Sequence, residues 1–535
     1  MTRWAEVPED RQQALLFAER LDDAVPAGHA VRLLDELLGA PQINWKPWEA
    51  GYFRNTGQPA VRPRVLASIL LYGLMTRIRS SRGLEDALLV RLDYRWLAHG
   101  HRLDHTTLSE FRRKHSSELK SLFVDVLLLA KGLGLAHFQR LGFDGTRARA
   151  CNRRSGTRTP AELQQEHDEL QKEVGEFLQR AEAEDTRDEE LFGGDALHEL
   201  PEELRDKQRR AEKIGALLTD LDRVKEAGGT VPKRIPSTDL DARVMPNKDG
   251  GHAPNYTPLA TVDIATGLIV GTDVLNEINE DRHLIPQVEQ VERDLGVKVE
   301  EVLTDGLNGT GANLAACEER GISLISPCPL PDPENPALRA DPTQPVPESE
   351  RGKLPTCQSN IGGQACTQLD KSAFVYDEER KCYWCPLGQP LNYANTTSEK
   401  NGSGRRIRDR YQADKATCAA CPLRDRCVPG KKDDKPRGRS ISREQFEQHR
   451  ERHARKMATP EAQELYKLRR HPGERPFAMI KHHFGLRRFL LRGLEAVRDE
   501  WCWATIAFNL HRLMSLIRGR AGPALDPTAP STPAR

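Results

Sequence analysis

A chain of 535 residues exceeds one ordinary domain, and its 80 Lys plus Arg against 79 Asp plus Glu leave a net charge of +1, which by itself argues against a dedicated nucleic-acid binder. The total hides segregation: residues 161–228 hold 10 basic against 21 acidic side chains and residues 401–520 hold 29 against 14, so the C-terminal part is the polyanion-binding candidate. No run of 18 apolar residues exists and the start, Met1-Thr2-Arg3-Trp4-Ala5-Glu6, lacks the apolar core of a signal peptide, which points to a soluble, cytoplasmic protein with no membrane partner.

Residues 1–135 read as a helical N-terminal domain that binds DNA. Residues 30–38 and 65–74 carry apolar side chains at helical spacing, and no strand pattern interrupts them. Thr107 and Glu110 form a capping box at the start of a helix that carries Arg112, Arg113 and Lys114. It is similar to the second helix of a helix-turn-helix, with those three cations as DNA contacts, although an ordinary basic surface helix reads the same way.

Residues 136–326 predict the first part of an α/β core. Leu141-Gly142-Phe143-Asp144-Gly145-Thr146 and Glu301-Val302-Leu303-Thr304-Asp305-Gly306 each run apolar residues into Asp-Gly, which is how a buried strand delivers a carboxylate to a site. Asp-Gly alone is also a common turn dipeptide; two copies at two strand ends ask for a metal. Between them, residues 160–228 predict an acidic helical hairpin broken at Gly193-Gly194, or a coiled-coil contact for a partner. Residues 256–263 and 267–275 predict a β-hairpin, 284–295 a helix, 297–304 a strand, 311–320 a helix and 322–325 a strand, an alternation that belongs to an α/β layer.

Residues 327–440 break the regularity with Pro329, Pro331, Pro333, Pro336 and Pro342, and predict an insertion from the core. Eleven cysteines, several in Cys-x-x-Cys spacing, suit metal ligation in a reducing compartment better than a disulfide framework. Cys385, Cys418, Cys421 and Cys427 are candidates for a structural Zn²⁺, with Cys382 as the substitute if Cys382 and Cys385 form the first knuckle; reduced cysteines without metal are the alternative. Residues 441–520 return to helices of the core, with Glu474 opening one of them and Lys481 seven residues on, on the same face. Residues 521–535 predict a disordered tail.

Phe143-Asp144-Gly145-Thr146 and Thr304-Asp305-Gly306 resemble the first and second acidic motifs of the DDE transposases of bacterial insertion sequences. Arg79-Ser80-Ser81-Arg82-Gly83-Leu84-Glu85, Asp104-His105-Thr106-Thr107 and Phe111-Arg112-Arg113 resemble the helical N-terminal domain of that family. Its third motif is Tyr-x-x-Arg-x-x-x-Glu-x-x-x-x-x-x-Lys; Arg470, Glu474 and Lys481 keep the spacing, and Tyr466 stands one residue too far from Arg470. The resemblance covers nearly the whole chain. It implies a ribonuclease-H-like mixed sheet with flanking helices, with the helical N-terminal domain and the inserted Cys-rich, zinc-knuckle-like region added to it.

It further implies Asp144, Asp305 and Glu474 as the catalytic carboxylates holding two Mg²⁺ (or Mn²⁺) ions. Such a pair, about 4 Å apart, stabilises both oxygens of an in-line phosphodiester exchange. Asp144 would touch both ions, Asp305 one and Glu474 the other, with Arg470 and Lys481 on the DNA phosphates. The implied reaction cuts double-stranded DNA at terminal inverted repeats and joins it to target DNA without ATP, in a homodimer or higher assembly at the bacterial nucleoid. Two other readings stay open: a catalytically inactive transposase-derived regulator that only binds DNA, and a metal-dependent nuclease that cuts without joining.

Overall fold

The computed structural model of the protein describes residues 20–50, 52, 59–153, 156–192, 202–226, 231–247, 250–361, 364–401, 404–428 and 437–520. The predicted tail and the Gly193-Gly194 break lie outside the described residues. The chain begins with α1 (Ala30–Leu38), α2 (Lys46–Glu49), α3 (Pro63–Met75), α4 (Ser81–Val90), α5 (Leu92–Leu97), α6 (His105–Lys114) and α7 (Ser116–Gly132). Then come β1 (Arg140–Gly145), β2 (Ala148–Arg149), β3 (Thr157–Arg158), the long helices α8 (Pro160–Phe192) and α9 (Glu202–Glu226), β4 (Ile235–Pro236), β5 (Arg243–Pro246), β6 (His252–Asp263), β7 (Ile269–Leu275) and α10 (Leu284–Leu295). The predicted α10 is confirmed residue for residue; Gly296 closes it at φ +58, a left-handed position that suits glycine.

After β8 (Glu301–Leu303), α11 (Gly311–Glu319) and β9 (Ser323–Ile325) lie β10 (Thr356–Ile361), β11 (Gln364–Leu369), β12 (Val375–Asp377), β13 (Cys382–Trp384), β14 (Pro390–Asn401) and β15 (Gly404–Ala413). The chain continues through α12 (Lys415–Ala419), α13 (Arg424–Cys427), β16 (Ser440–Glu444), α14 (Glu447–Met457), α15 (Pro460–Lys467), α16 (Arg470–Ala478), a π-helical turn (Met479–His483) and α17 (Leu494–Arg520). The described residues form a mixed α/β protein with N-terminal helices and antiparallel sheet. None of the described helices is long and apolar enough to cross a membrane.

Two compact units divide the chain, one of residues 1–159, 234–300 and 469–535, the other of residues 160–233 and 301–468. In the first, β6 is the axis of an antiparallel ladder: β1 pairs with it from Leu141↔Asp263 to Gly145↔Leu259, and β7, β5 and β2 pair with it too. Helix α17 is stitched to these strands by side-chain hydrogen bonds. Asn509 accepts from Ile269 N at 2.8 Å and donates to Ile269 O at 2.7 Å, and Trp501 Nε1 donates to Leu259 O at 3.1 Å. Asn509 is fully buried, and this two-way pairing to the backbone satisfies its amide.

In the second unit β8 and β9 pair in parallel, and α8 packs along α9 through Leu163, Val174, Ala211, Ile214 and Leu221 with the ion pair Arg210–Glu166 at 2.6 Å beside them. The insertion expected to be irregular holds a five-stranded antiparallel sheet, β12 to β16. Its core face carries Tyr383, Leu391, Tyr411 and Ile441, while Arg406, Arg408 and Arg410 alternate onto the other face. Half of each strand is charged or polar, which diluted the apolar signal; the period of two was present all the same.

Candidate active site

Strand β1 carries Asp144 out of the core. Leu141 and Phe143 are fully buried, and one residue later the carboxylate of Asp144 is at the strand's end, opposite Ala260 of β6. Its Oδ1 accepts from Gly145 N at 2.9 Å and its Oδ2 from Arg469 Nη2 at 2.9 Å. Arg469 is the residue before α16, so this ion pair, about four-fifths buried on both sides, fixes the start of α16 against the end of β1.

Around it the same unit gathers three further charges. Lys481, on the π-helical turn, donates to Thr146 Oγ1 at 2.5 Å and to Arg147 O at 2.6 Å, holding the chain just past Asp144. Arg147 donates to Thr257 Oγ1 and to Ile278 O, both at 2.7 Å; burial lowers its pKa, and the Glu280 carboxylate nearby works in the opposite direction. Glu280 lies against Gly145, where a Cβ would stand 1.6 Å from Glu280 Oε2. A side chain at this position would displace the Glu280 carboxylate.

Asp305 follows β8 after the buried Thr304. Its Oδ1 accepts from Leu307 N (3.0 Å), Asn308 N (3.2 Å) and Asn308 Nδ2 (3.0 Å), so one oxygen is locked by its own loop. Asp144 and Glu280, both of the first unit, each offer a carboxylate oxygen, and the two lie within 4.8 Å of one another. Paired hard oxygen donors at that spacing fit a divalent cation such as Mg²⁺ or Mn²⁺.

Two family models match the chain: one described as "Transposase DDE domain" over residues 384–514, the other as "Transposase domain (DUF772)" over residues 19–114. The chain carries a DDE transposase domain. No curated protein and no solved structure matches it. The DDE-domain match runs from β13 into α17 and contains Glu474 and Lys481, while the second match covers α1 to α6. Two transposase-domain matches on one chain support enzymatic activity of the DDE transposase type.

Not every predicted residue stands where the spacing put it. Glu474 is exposed in the middle of α16, which begins at Arg470 and not at Glu474, and the acid whose carboxylate lies beside that of Asp144 is Glu280. Arg469, one residue before the predicted Arg470, is the arginine that meets Asp144. Lys481 spends its ammonium on Thr146 and Arg147. In the transposase's N-terminal helices the cap of α6 is Asp104, whose side chain accepts from Thr107 N at 2.7 Å, in place of the expected Thr107 box.

Arg112 turns inward: it lines a small cavity with Arg79, Glu500 and Trp503, where burial lowers its pKa and Glu500 sustains its charge. Arg113 and Lys114 stay exposed, Lys114 with its Nζ 3.7 Å from the centre of the Tyr52 ring. Glu280 and Arg469 were missed because Glu280 shares its loop with Glu277 and Asp281, and Arg469 adjoins Arg470; only the acid-rich loop directly after an apolar strand hinted at the first.

The cysteines form no comparable group among the described residues. Cys427 is buried and Cys385, Cys418 and Cys421 pack against the same apolar cluster. Cys385 Sγ accepts from Leu387 N and Gln389 N, each at 3.3 Å, and burial pushes the Cys427 thiol up to about 12.

Proposed function

We propose that the protein is the transposase of a bacterial insertion sequence, binding double-stranded DNA at the element's terminal inverted repeats, cutting it and joining it to target DNA. The observation that carries this reading is the pair of carboxylates, Asp144 and Glu280, at the end of β1 in a chain with two transposase-domain matches. We assign the catalytic core a ribonuclease-H-like sheet, with Asp144 and Asp305 as carboxylate ligands of Mg²⁺ or Mn²⁺ and Glu474 as the third catalytic acid. Glu474 rides on α16, whose first turn is tied to Asp144 through Arg469, so the helix that carries it is anchored at the site.

Bound metal would supply charge neutralisation at the attacked phosphate and a water acidic enough to attack it. The chain's own residues do the rest. Asp144, Asp305 and Glu474 set where that charge lies, Lys481 holds the Thr146–Arg147 turn beside Asp144, and Arg113, Lys114 and Arg470 are the proposed phosphate contacts. Paired ends call for a homodimer or larger assembly on DNA, and the proposed location is the cytoplasm, at the nucleoid.

The test is a reaction with Mg²⁺ or Mn²⁺ on a duplex bearing the element's ends. Cleavage that frees a 3′-hydroxyl, followed by joining to target DNA, is the expected result. Binding without cutting would instead identify an inactive regulator, and cutting without joining a nuclease.

We also propose one structural Zn²⁺ on Cys385, Cys418, Cys421 and Cys427. The support is that all four pack on one apolar cluster and that two backbone N–H donors are aimed at Cys385 Sγ, which offset part of the burial that raises its pKa. Chelation should then loosen residues 385–427 in hydrogen exchange without changing exchange at β1. Purified protein without zinc would remove the assignment.

A further inference from the structure

Helix α14 presents His449, Arg452, His453 and Lys456 on one face, as the spacing of three and four residues requires. That face lines a cavity of about 110 Å³ against α11 and β9, with Cys317 and Glu318 opposite. Glu318 is the cavity's one acid, and it is already engaged. Arg452 meets it with two parallel bonds, Nε to Oε1 at 2.9 Å and Nη2 to Oε2 at 2.7 Å, and His449 Nδ1 lies 2.5 Å from Oε2.

Lys456 has no such partner. Its Nζ donates to Ser323 Oγ at 2.7 Å and to Leu324 O at 3.1 Å, two neutral acceptors, and no carboxylate touches it. Burial pushes its pKa down, and the carboxylates of Glu301 and Glu318, which act on it without a direct bond, offset this only in part. His453 is buried, with Nε2 2.9 Å from Ser326 O. The side chains of Arg452 and Glu318 are 45% and 44% exposed, so the mouth of the cavity reaches solvent.

We infer that this cavity is a docking site for one phosphate group of the DNA backbone, held by Lys456 and Arg452 away from the carboxylate cluster's own residues. The volume has room for three or four waters at about 30 Å³ each, the size of a phosphate group. Lys456 beside the Arg452–Glu318 pair leaves one net positive charge, which disfavours a metal ion there and favours an anion. The inference rests on the transposase reading, which supplies the phosphodiester.

The experiment measures binding of the full-length protein to an end-bearing duplex as a function of salt, for the wild type, Lys456→Met, Arg452→Gln and Arg455→Gln. Each phosphate contact contributes about 0.9 to the slope of log affinity against log salt. Lys456→Met and Arg452→Gln should each lower the slope by about one and weaken binding several-fold, and the exposed Arg455→Gln should do neither. Inorganic phosphate is titrated in parallel. Competition with DNA in the wild type that disappears in Lys456→Met supports the backbone as source, whereas phosphate binding with an unchanged DNA slope assigns the cavity to a free anion and overturns the proposal. Lys456 is tied to β9, so melting temperatures are taken for every variant, and the half-exposed Arg452→Gln decides if Lys456→Met is unfolded. Wild-type protein that binds no duplex refutes the transposase reading itself; normal binding with slopes unaltered by either variant refutes only the phosphate site.

Discussion

A methyl group at residue 145 would stand 1.6 Å from Glu280 Oε2 and 3.1 Å from Leu259 Cδ2, so Gly145→Ala must push Glu280 off β1 or bend the strand that carries Asp144. Either displacement moves Glu280 away from Asp144, whose carboxylate oxygen lies within 4.8 Å of its own. Gly145→Ala and Glu280→Gln should both weaken Mn²⁺ binding, followed by calorimetry in the absence of DNA, by roughly tenfold to a hundredfold. Unaltered Mn²⁺ affinity in both would mean that Glu280 is a bystander. Glu474 is tested separately. Glu474→Gln keeps shape and removes charge, so end binding should survive while cleavage falls by several orders of magnitude, and the same change at Glu464 or Glu495 should leave cleavage near normal. Wild-type cleavage by Glu474→Gln together with inactive Glu280→Gln would transfer the third catalytic position to Glu280.

At the scale of elements, α6 shows what helical spacing reveals and what it leaves out. Its basic end was legible as Arg112, Arg113 and Lys114, yet three consecutive residues on a helix point about 100° apart, and the tertiary partner Glu500 decides which one turns inward. Replacing Arg113 and Lys114 by Ala should lower the salt slope of DNA binding by up to about two. Arg112→Ala should instead lower the melting temperature, because Glu500 keeps only Arg79, at 2.6 Å, as an ionic partner in that pocket. A full slope in the double variant would place DNA elsewhere on the protein. The same logic separates the rest of the fold into readable and hidden parts. Long apolar periods marked α3, α10 and α17, and two apolar runs ending in Asp-Gly marked Asp144 and Asp305. Strand β15 escaped because arginines fill its alternate positions, β14 because polar residues fill most of it, and β12 and β13 because they are three residues long; the start of α16 escaped because Pro472 and Gly473 look like a break, whereas the helix runs through both.

For the molecule as a whole, acid should be felt first through its buried histidines. His115 packs between Trp48, Tyr52 and Phe111 in one unit, His453 sits behind β9 in the other, and burial is the leading cause that holds both below the usual histidine range. The folded protein therefore keeps them neutral while the unfolded chain takes up protons near pH 6.5. The unfolded state binds more protons just below that pH, so stability is full above about 6.5 and is lost as the pH falls through the folded values, by about 1.4 kcal/mol for each unit of depression. A second loss belongs to lower pH: Arg452 foremost, with His449, holds the Glu318 carboxyl down to about 2, so its ion pair persists below the unfolded carboxylate range, and solvent screening at this half-exposed site keeps its share small. Melting temperature should accordingly hold from pH 8 to 7, decline between about 6.5 and 5, and drop again as the carboxylates protonate. His453→Asn, which retains a donor for Ser326 O, should flatten part of the first decline while leaving the second. A melting temperature that stays level from pH 7 to 5 in the wild type would show that these imidazoles reach water in the folded protein, against the 2% and 6% exposure of His115 and His453.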